Sequence, residues 1–339
     1  MAYANDREIR IFAMQRSGHN AIMSWIAGNC PGNVIALSKP KTDRNIFVSF
    51  DYRSFRIPNN GLEKIDIPAE ASGKFSSKDF LIYDIENMDL SSFSGERIEA
   101  EHDAVAGSSR GRYDVVILRD PFNLFASMIM FYTIGMVRIR GDAQAAMSGK
   151  VRIWKQYARE FAGDTGFLAN NKVAIGYNQW LSSKEYRGTI ASTLRINNDD
   201  SFMERITLFG GGSSFGKICL RDSATKMRTL ERWKVFQNNG FYISLFDDEV
   251  FELSKRVFGE IPGTEVLRSK RYAQKGSLTA SVRKQYEASG IFFANRTSMK
   301  LNSISKILRK KYAHFLAKFA GAFPGLYLRV KNMKNRITE

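Results

Sequence analysis

Cysteine is nearly missing from this chain: there are two in 339 residues, Cys30 and Cys219. Two thiols so far apart build no disulfide framework, and neither stands in a C-x-x-C or Cys/His spacing suited to zinc. Reduced thiols in a cytoplasmic setting, and no metal centre, are the expectation. No apolar run approaches the length of a membrane span. The opening residues are polar and lead straight into a strand-like run, so no secretory signal is expected either. Internal repeats and low-complexity linkers are lacking, and acidic residues are outnumbered, 34 against 51 Lys and Arg.

What remains is a globular composition, 44% hydrophobic and 25% charged, in a chain long enough to bury a sizeable core. The net charge is +17, and residues 300–339 carry ten Lys/Arg against one acidic residue. An excess this large favours polyanions: nucleic acid, anionic lipid or a phosphorylated cofactor. Residues 303–323 place Ile304, Ile307, Leu308, Phe315, Leu316 and Phe319 along one helical face, with basic residues mostly opposite.

Residues 9–14 read as a strand and residues 20–27 as a helix, with Asn20 a candidate N-cap. Short strands are expected within 33–52, then at 80–83, at 113–118 and at 172–177. Helices are expected at 121–132, 150–161, 182–194, 225–237 and 247–258. Residues 88–112 and 264–279 read as loops, and 133–147 as a mobile lid. Strands alternating with helices predict a three-layer α/β/α domain with a central, mainly parallel sheet over residues 1–300, followed by a basic amphipathic tail, 301–339. Ligands of such sheets sit beyond the carboxyl ends of the strands, where Gln15, Asp84, Arg119 and Tyr177 would gather.

Residues 15–20, Gln-Arg-Ser-Gly-His-Asn, form a tight turn between the first strand and first helix. Such a turn aims backbone N–H groups and the positive end of a helix at one spot, where an anion can sit. An ordinary strand–turn–helix that binds nothing has the same appearance. Together with Leu118-Arg119-Asp120-Pro121 and Ser127, however, the turn resembles the two cofactor signatures of sulfotransferases that use 3′-phosphoadenosine-5′-phosphosulfate (PAPS). The first loop is similar to that family's 5′-phosphosulfate loop, with Arg16 where carbohydrate and tyrosyl-protein members also carry Arg. The second is similar to its 3′-phosphate motif, in which an Arg ends a strand and a Ser follows eight residues later.

The resemblance implies a P-loop-like sulfotransferase fold, PAPS as sulfuryl donor, and an acceptor hydroxyl, of a carbohydrate or glycolipid in the sense that Arg16 suggests. It implies that Arg16 stabilises the leaving group, that Ser17, Gly18, His19, Asn20 and Ala21 cradle the 5′-phosphosulfate, and that Arg119 and Ser127 hold the 3′-phosphate. Tyr177 resembles the tyrosine that approaches the adenine, Ser214-Phe215 a pair lining the same base, and Arg271, Lys275 and Gly276 a basic glycine loop, without its usual Gly-Asp-Trp ending. For the base that takes the acceptor's proton, Glu86 is the first candidate and Asp84 the second; a helix cap or a solvated carboxylate are the plain alternatives. His19 is a further candidate, as donor or base. His102 reads as solvated and His314 as structural. Trp25, Trp154, Trp180 and Trp233 read as core.

Two other classes compete. Residues 211–218, Gly-Gly-Ser-Ser-Phe-Gly-Lys-Ile, match a nucleotide-binding P-loop until the last position, where Ile218 cannot hold Mg²⁺; residues 241–248 imitate the acidic partner strand of a kinase or NTPase. A non-enzymatic protein whose tail binds an anionic membrane surface is the other, and would make the chain peripheral at that surface. Specific nucleic-acid recognition is not expected, since no reader motif accompanies the charge.

Overall fold

The computed structural model describes residues 3–37, 55–57, 63–64, 77–93, 95–134, 143–203 and 227–271. Seven strands form one sheet: β1 (Asn5–Ala13), β2 (Val34–Leu37), β3 (Phe55–Ile57), β4 (Glu63–Lys64), β5 (Lys78–Glu86), β6 (Ser109–Leu118) and β7 (Val173–Gly176). Their order across the sheet is β4-β3-β2-β5-β1-β6-β7. The five strands from β2 to β7 run parallel, while β3 and β4 add an antiparallel edge.

The period of two along each central strand sorts side chains into two cores. On one face Ile9, Ile11, Val115 and Ile117 meet Trp25 and Ile26 of α1 (His19–Asn29). Trp180 of α5 (Tyr177–Ser182) and Ile190 of α6 (Lys184–Leu194) join the same core. On the other face Phe12, Leu81, Tyr83, Val116 and Leu118 meet a second set of helices. These are α3 (Pro121–Ile134), α4 (Ala143–Ala162) and α8 (Asp248–Phe258), contributing Phe125, Trp154 and Phe251 among others. The result is the predicted three-layer α/β/α arrangement, and all four tryptophans are buried as expected.

Several boundaries differ from the sequence reading, each for a physical reason. Gly18, not Asn20, is the N-cap of α1, because its left-handed backbone turns the chain into the helix. Residues 88–112 are not all loop: α2 (Gly95–Ala106) lies within them. Its composition hides it, since it docks through charge: Glu99 and Asp103 pair with Arg10 and Arg112 at 3.1 and 2.5 Å. The helix expected from residue 150 begins at Ala143, inside the expected lid, while residues 135–142 lie outside the described residues. The expected helix at 225–237 is a short 3-10 turn, Arg232–Phe236, drawn in by backbone N–H groups of Arg232 and Trp233 that donate to Asn123 Oδ1. Residues 240–244 form α7 (Gly240–Ser244), a helical turn where a kinase-like reading needs a strand. Finally α9 (Glu265–Lys270) interrupts the expected basic loop. Residues 211–218 and 301–339 and His314 lie outside the described residues.

The sheet register aligns the carboxyl ends that matter. Ala13 sits level with Glu86 on one neighbour and Ile117 on the other, and Leu118 sits level with Gly176. The turn at 15–18, Asn87, Arg119 and Tyr177 therefore leave the sheet along one edge.

Candidate functional site

The turn after β1 is built on two left-handed residues, Arg16 at φ 71° and Gly18 at φ 90°. Gln15 N–H donates to Asn87 Oδ1 at 3.1 Å and Asn87 N–H to the Ala13 carbonyl at 2.9 Å, which ties the turn to the end of β5. At Gly18 glycine is required twice over: its φ disfavours any side chain, and a Cβ there would run into the Tyr177 ring. Gly18→Ala is expected to destabilise the fold by roughly 2–4 kcal/mol, combining the left-handed penalty with displacement of a buried ring. Urea unfolding at neutral pH measures this, and an unchanged midpoint would show that the turn is not so constrained.

Arg119, at the end of β6, is buried and donates to the carbonyls of Arg16, at 3.1 Å, and of Thr229. Its guanidinium stands over the Tyr177 ring, 5.0 Å from Cζ to centroid, and its Nε makes no hydrogen bond. Trp154 Nε1 donates to the Arg119 carbonyl at 2.9 Å, fixing the backbone at this point. The next residues start α3 as Pro121 predicts: Asp120 caps it by accepting from Asn123 N–H at 2.8 Å. One turn and a half further, Ser127 presents its hydroxyl to Arg16 Nε at 3.3 Å and to Arg232 Nη1 at 2.8 Å. Arg16 also stacks on Phe131, 5.1 Å to the centroid.

Three guanidinium groups thus share one neighbourhood. Burial holds Arg119 below the usual arginine range. Burial, then repulsion from Arg119 and from Arg16, pulls Arg232 down much further. Cations brought together in this way define a place where a multiply charged anion is stabilised. Nothing local in the sequence marks Arg232: it stands within Glu-Arg-Trp-Lys, and contacts with Asn123 and Ser127, distant in sequence, hold it inward.

A second cluster lies on the other side of the turn. His19 Nε2 is 3.0 Å from Glu86 Oε1 and 3.3 Å from Asp84 Oδ2, and His19 Nδ1 is 3.4 Å from Ser17 Oγ. Asp84, Ser17 and His19 are buried, and Glu86 is the one with partial access to solvent. Burial by itself would lower the His19 pKa, but the hydrogen bonds and charges of Asp84 and Glu86 outweigh it and push it up to about 9. The three side chains bring ligand-capable atoms within 4.8 Å of one another, the one such group among the described residues.

Of the other predicted residues, Asn20 has a buried Oδ1 that makes no hydrogen bond. Ala21 N–H donates within α1 to the Gly18 carbonyl at 2.9 Å. Tyr177 is buried between Gly18 and Arg119, and its hydroxyl donates to Thr229 Oγ1 at 3.3 Å. Arg271 pairs with Asp248 Oδ1 at 2.7 Å, beside α8. Ser214, Phe215, Lys275 and Gly276 lie outside the described residues, and His102, expected in a loop, is in α2.

Fold and site together define an α/β protein that gathers arginines at the carboxyl edge of a parallel sheet. No protein-family model matches the chain, and no curated protein matches it. Among solved structures it is similar to the crystal structure of mouse sulfotransferase SULT7A1 complexed with PAP, at 14% identity over 80% of this chain and 90% of that one. The TM-score is 0.37, too low to establish a common fold. No helix among the described residues is long and apolar enough to cross a membrane.

Proposed function

We propose that this chain is a sulfotransferase that moves a sulfuryl group from PAPS to an acceptor hydroxyl. The observation that carries the reading is the meeting of Arg16, Arg119 and Ser127, from two motifs 103 residues apart in sequence, around one buried cationic site. The donor set fits the group: a buried guanidinium with an uncommitted Nε, two further guanidiniums and a hydroxyl suit a phosphate dianion. Arg119, Ser127 and Arg232 would hold the 3′-phosphate. The turn at 17–21, at the amino end of α1, would hold the 5′ side.

Bound PAPS supplies an activated sulfuryl group whose leaving oxygen gains negative charge. Arg16 belongs to the turn by its backbone and to the arginine group by its side chain, so it lends positive charge between the two. Glu86, the accessible member of its cluster, accepts the proton of the acceptor hydroxyl. The acceptor we assign is a carbohydrate hydroxyl, on the resemblance of the Arg16 loop to carbohydrate-type members. No observation favours the kinase reading: its acidic partner segment is helical at 240–244.

Calorimetry tests the assignment without turnover. In magnesium-free buffer 3′,5′-adenosine bisphosphate is expected to bind about 100-fold more tightly than 5′-AMP, since about 1.5–3 kcal/mol attaches to each charged hydrogen bond of the added phosphate. Equal affinities would refute the reading.

A further inference from the structure

We infer that His19 is a fixed cation, a positioning residue that keeps Glu86 ionised beside the acceptor rather than a base or a donor to the cofactor. The inference rests on the proposed function for its role, while the charge state of the cluster is argued from the two carboxylates gathered around the buried ring.

Ionised carboxylates only accept, so the ring nitrogen lying 3.0 and 3.3 Å from two of them carries a proton, and the second proton on Nδ1 is what the charge of the pair favours. The opposite nitrogen faces the Ser17 hydroxyl, which can accept from it as well. Nε2 lies within ion-pair distance of both carboxylates without being aligned for a hydrogen bond, so the attraction between them is one of charge, and it is the pair of carboxylates around one ring that calls for the imidazolium. The burial of His19 and Asp84 strengthens the argument, because two carboxylates sunk at this spot without a cation would repel one another at high cost.

The groups facing Glu86 come from each element around it. Asp84 shares its strand, and His19 comes from α1. From α4 come Lys150, a half-buried amine lowered by burial and raised by Glu86, and Tyr157, whose buried phenol is raised by desolvation. His19 is the one of these in direct contact at 3.0 Å. In the reaction the hydroxyl proton moves to Glu86 and the oxygen's electron pair forms the new bond to sulfur. The bond from sulfur to the leaving phosphate oxygen breaks with its pair on that oxygen. His19 keeps both its protons throughout, and the trio passes from one net negative charge to none.

The test begins with the resting protein. Three histidines make ¹⁵N NMR assignment simple. With chelator present, His19 is expected to show both ring nitrogens protonated at pH 7.5 and to titrate near 9. A neutral ring at pH 7.5 would overturn the inference, as would a spectrum that chelator changes, since that would reveal a bound cation in place of the proton. Because the folded value lies above the ordinary 6.5, the stabilisation is complete below pH 6.5 and is lost as pH rises through 9. The unfolding constant should therefore rise roughly 300-fold across that window in the natural protein and far less in His19→Gln.

With turnover, His19→Gln should move the acid limb of kcat/KM up by at least about one pH unit, because the two carboxylates then share a proton. An unmoved limb in a variant that still binds 3′,5′-adenosine bisphosphate would also overturn it. Failure to bind the bisphosphate at all would refute the sulfotransferase reading while leaving the NMR result intact.

Discussion

Arg119→Ala is expected to weaken 3′,5′-adenosine bisphosphate about 100-fold, or roughly 2.7 kcal/mol, while changing 5′-AMP affinity less than about threefold. The asymmetry follows from where the guanidinium lies. It is buried at the end of β6 with Nε uncommitted and Arg232 close by, and it meets the turn through its bond to the Arg16 carbonyl rather than through that Nε. Part of the change is structural, because Arg119 also anchors the carbonyls of Arg16 and Thr229. Losing those bonds costs about 1–3 kcal/mol of stability, offset in part by relief of repulsion on Arg232. Arg119→Lys separates the two effects: it restores charge without the planar fork, so recovery of less than about tenfold is expected. Parallel losses for both nucleotides in calorimetry would remove the 3′-phosphate role.

The second large effect concerns the proton. Glu86→Gln should lower kcat by about 10²–10⁴-fold with bisphosphate affinity within about twofold of the natural protein. Glutamine preserves the shape and can still accept from His19 Nε2, so the loss isolates proton acceptance rather than packing. Asp84→Asn is the informative partner. Asp84 is fully buried, whereas Glu86 retains access, so the asparagine variant should lose stability more than rate. Steady-state kinetics on folded protein decides between them: an active Glu86→Gln beside an inactive Asp84→Asn transfers the role to Asp84.

The parallel sheet was legible in sequence because its central strands are short apolar runs ending in polar turns, and because Pro121 marks a helix start that Asp120 then caps. Asp84 and Glu86 were legible as a pair of acids, though they close β5 rather than follow it, and residues 15–18 were legible as a tight turn between a strand and a helix. What stayed hidden was set by contacts distant in sequence. Helix α2 docks by ion pairs to Arg10 and Arg112, a pattern that hydrophobic periodicity does not register. Arg232 is drawn inward by Asn123 and Ser127, more than 100 residues before it. The surroundings of His19 were hidden too, because local sequence shows one histidine near a glycine, not the two carboxylates that the register of β1 and β5 brings beside it.

The crowding of Arg16, Arg119 and Arg232 has a practical side for anyone handling the protein. Like charges held together by the fold repel, so inorganic anions in a purification buffer are expected to bind there and to raise the melting temperature with the logarithm of their concentration once it exceeds Kd. Phosphate- and sulfate-free storage is then a precondition for measuring nucleotide affinity, since residual buffer ions would compete silently for the same seat.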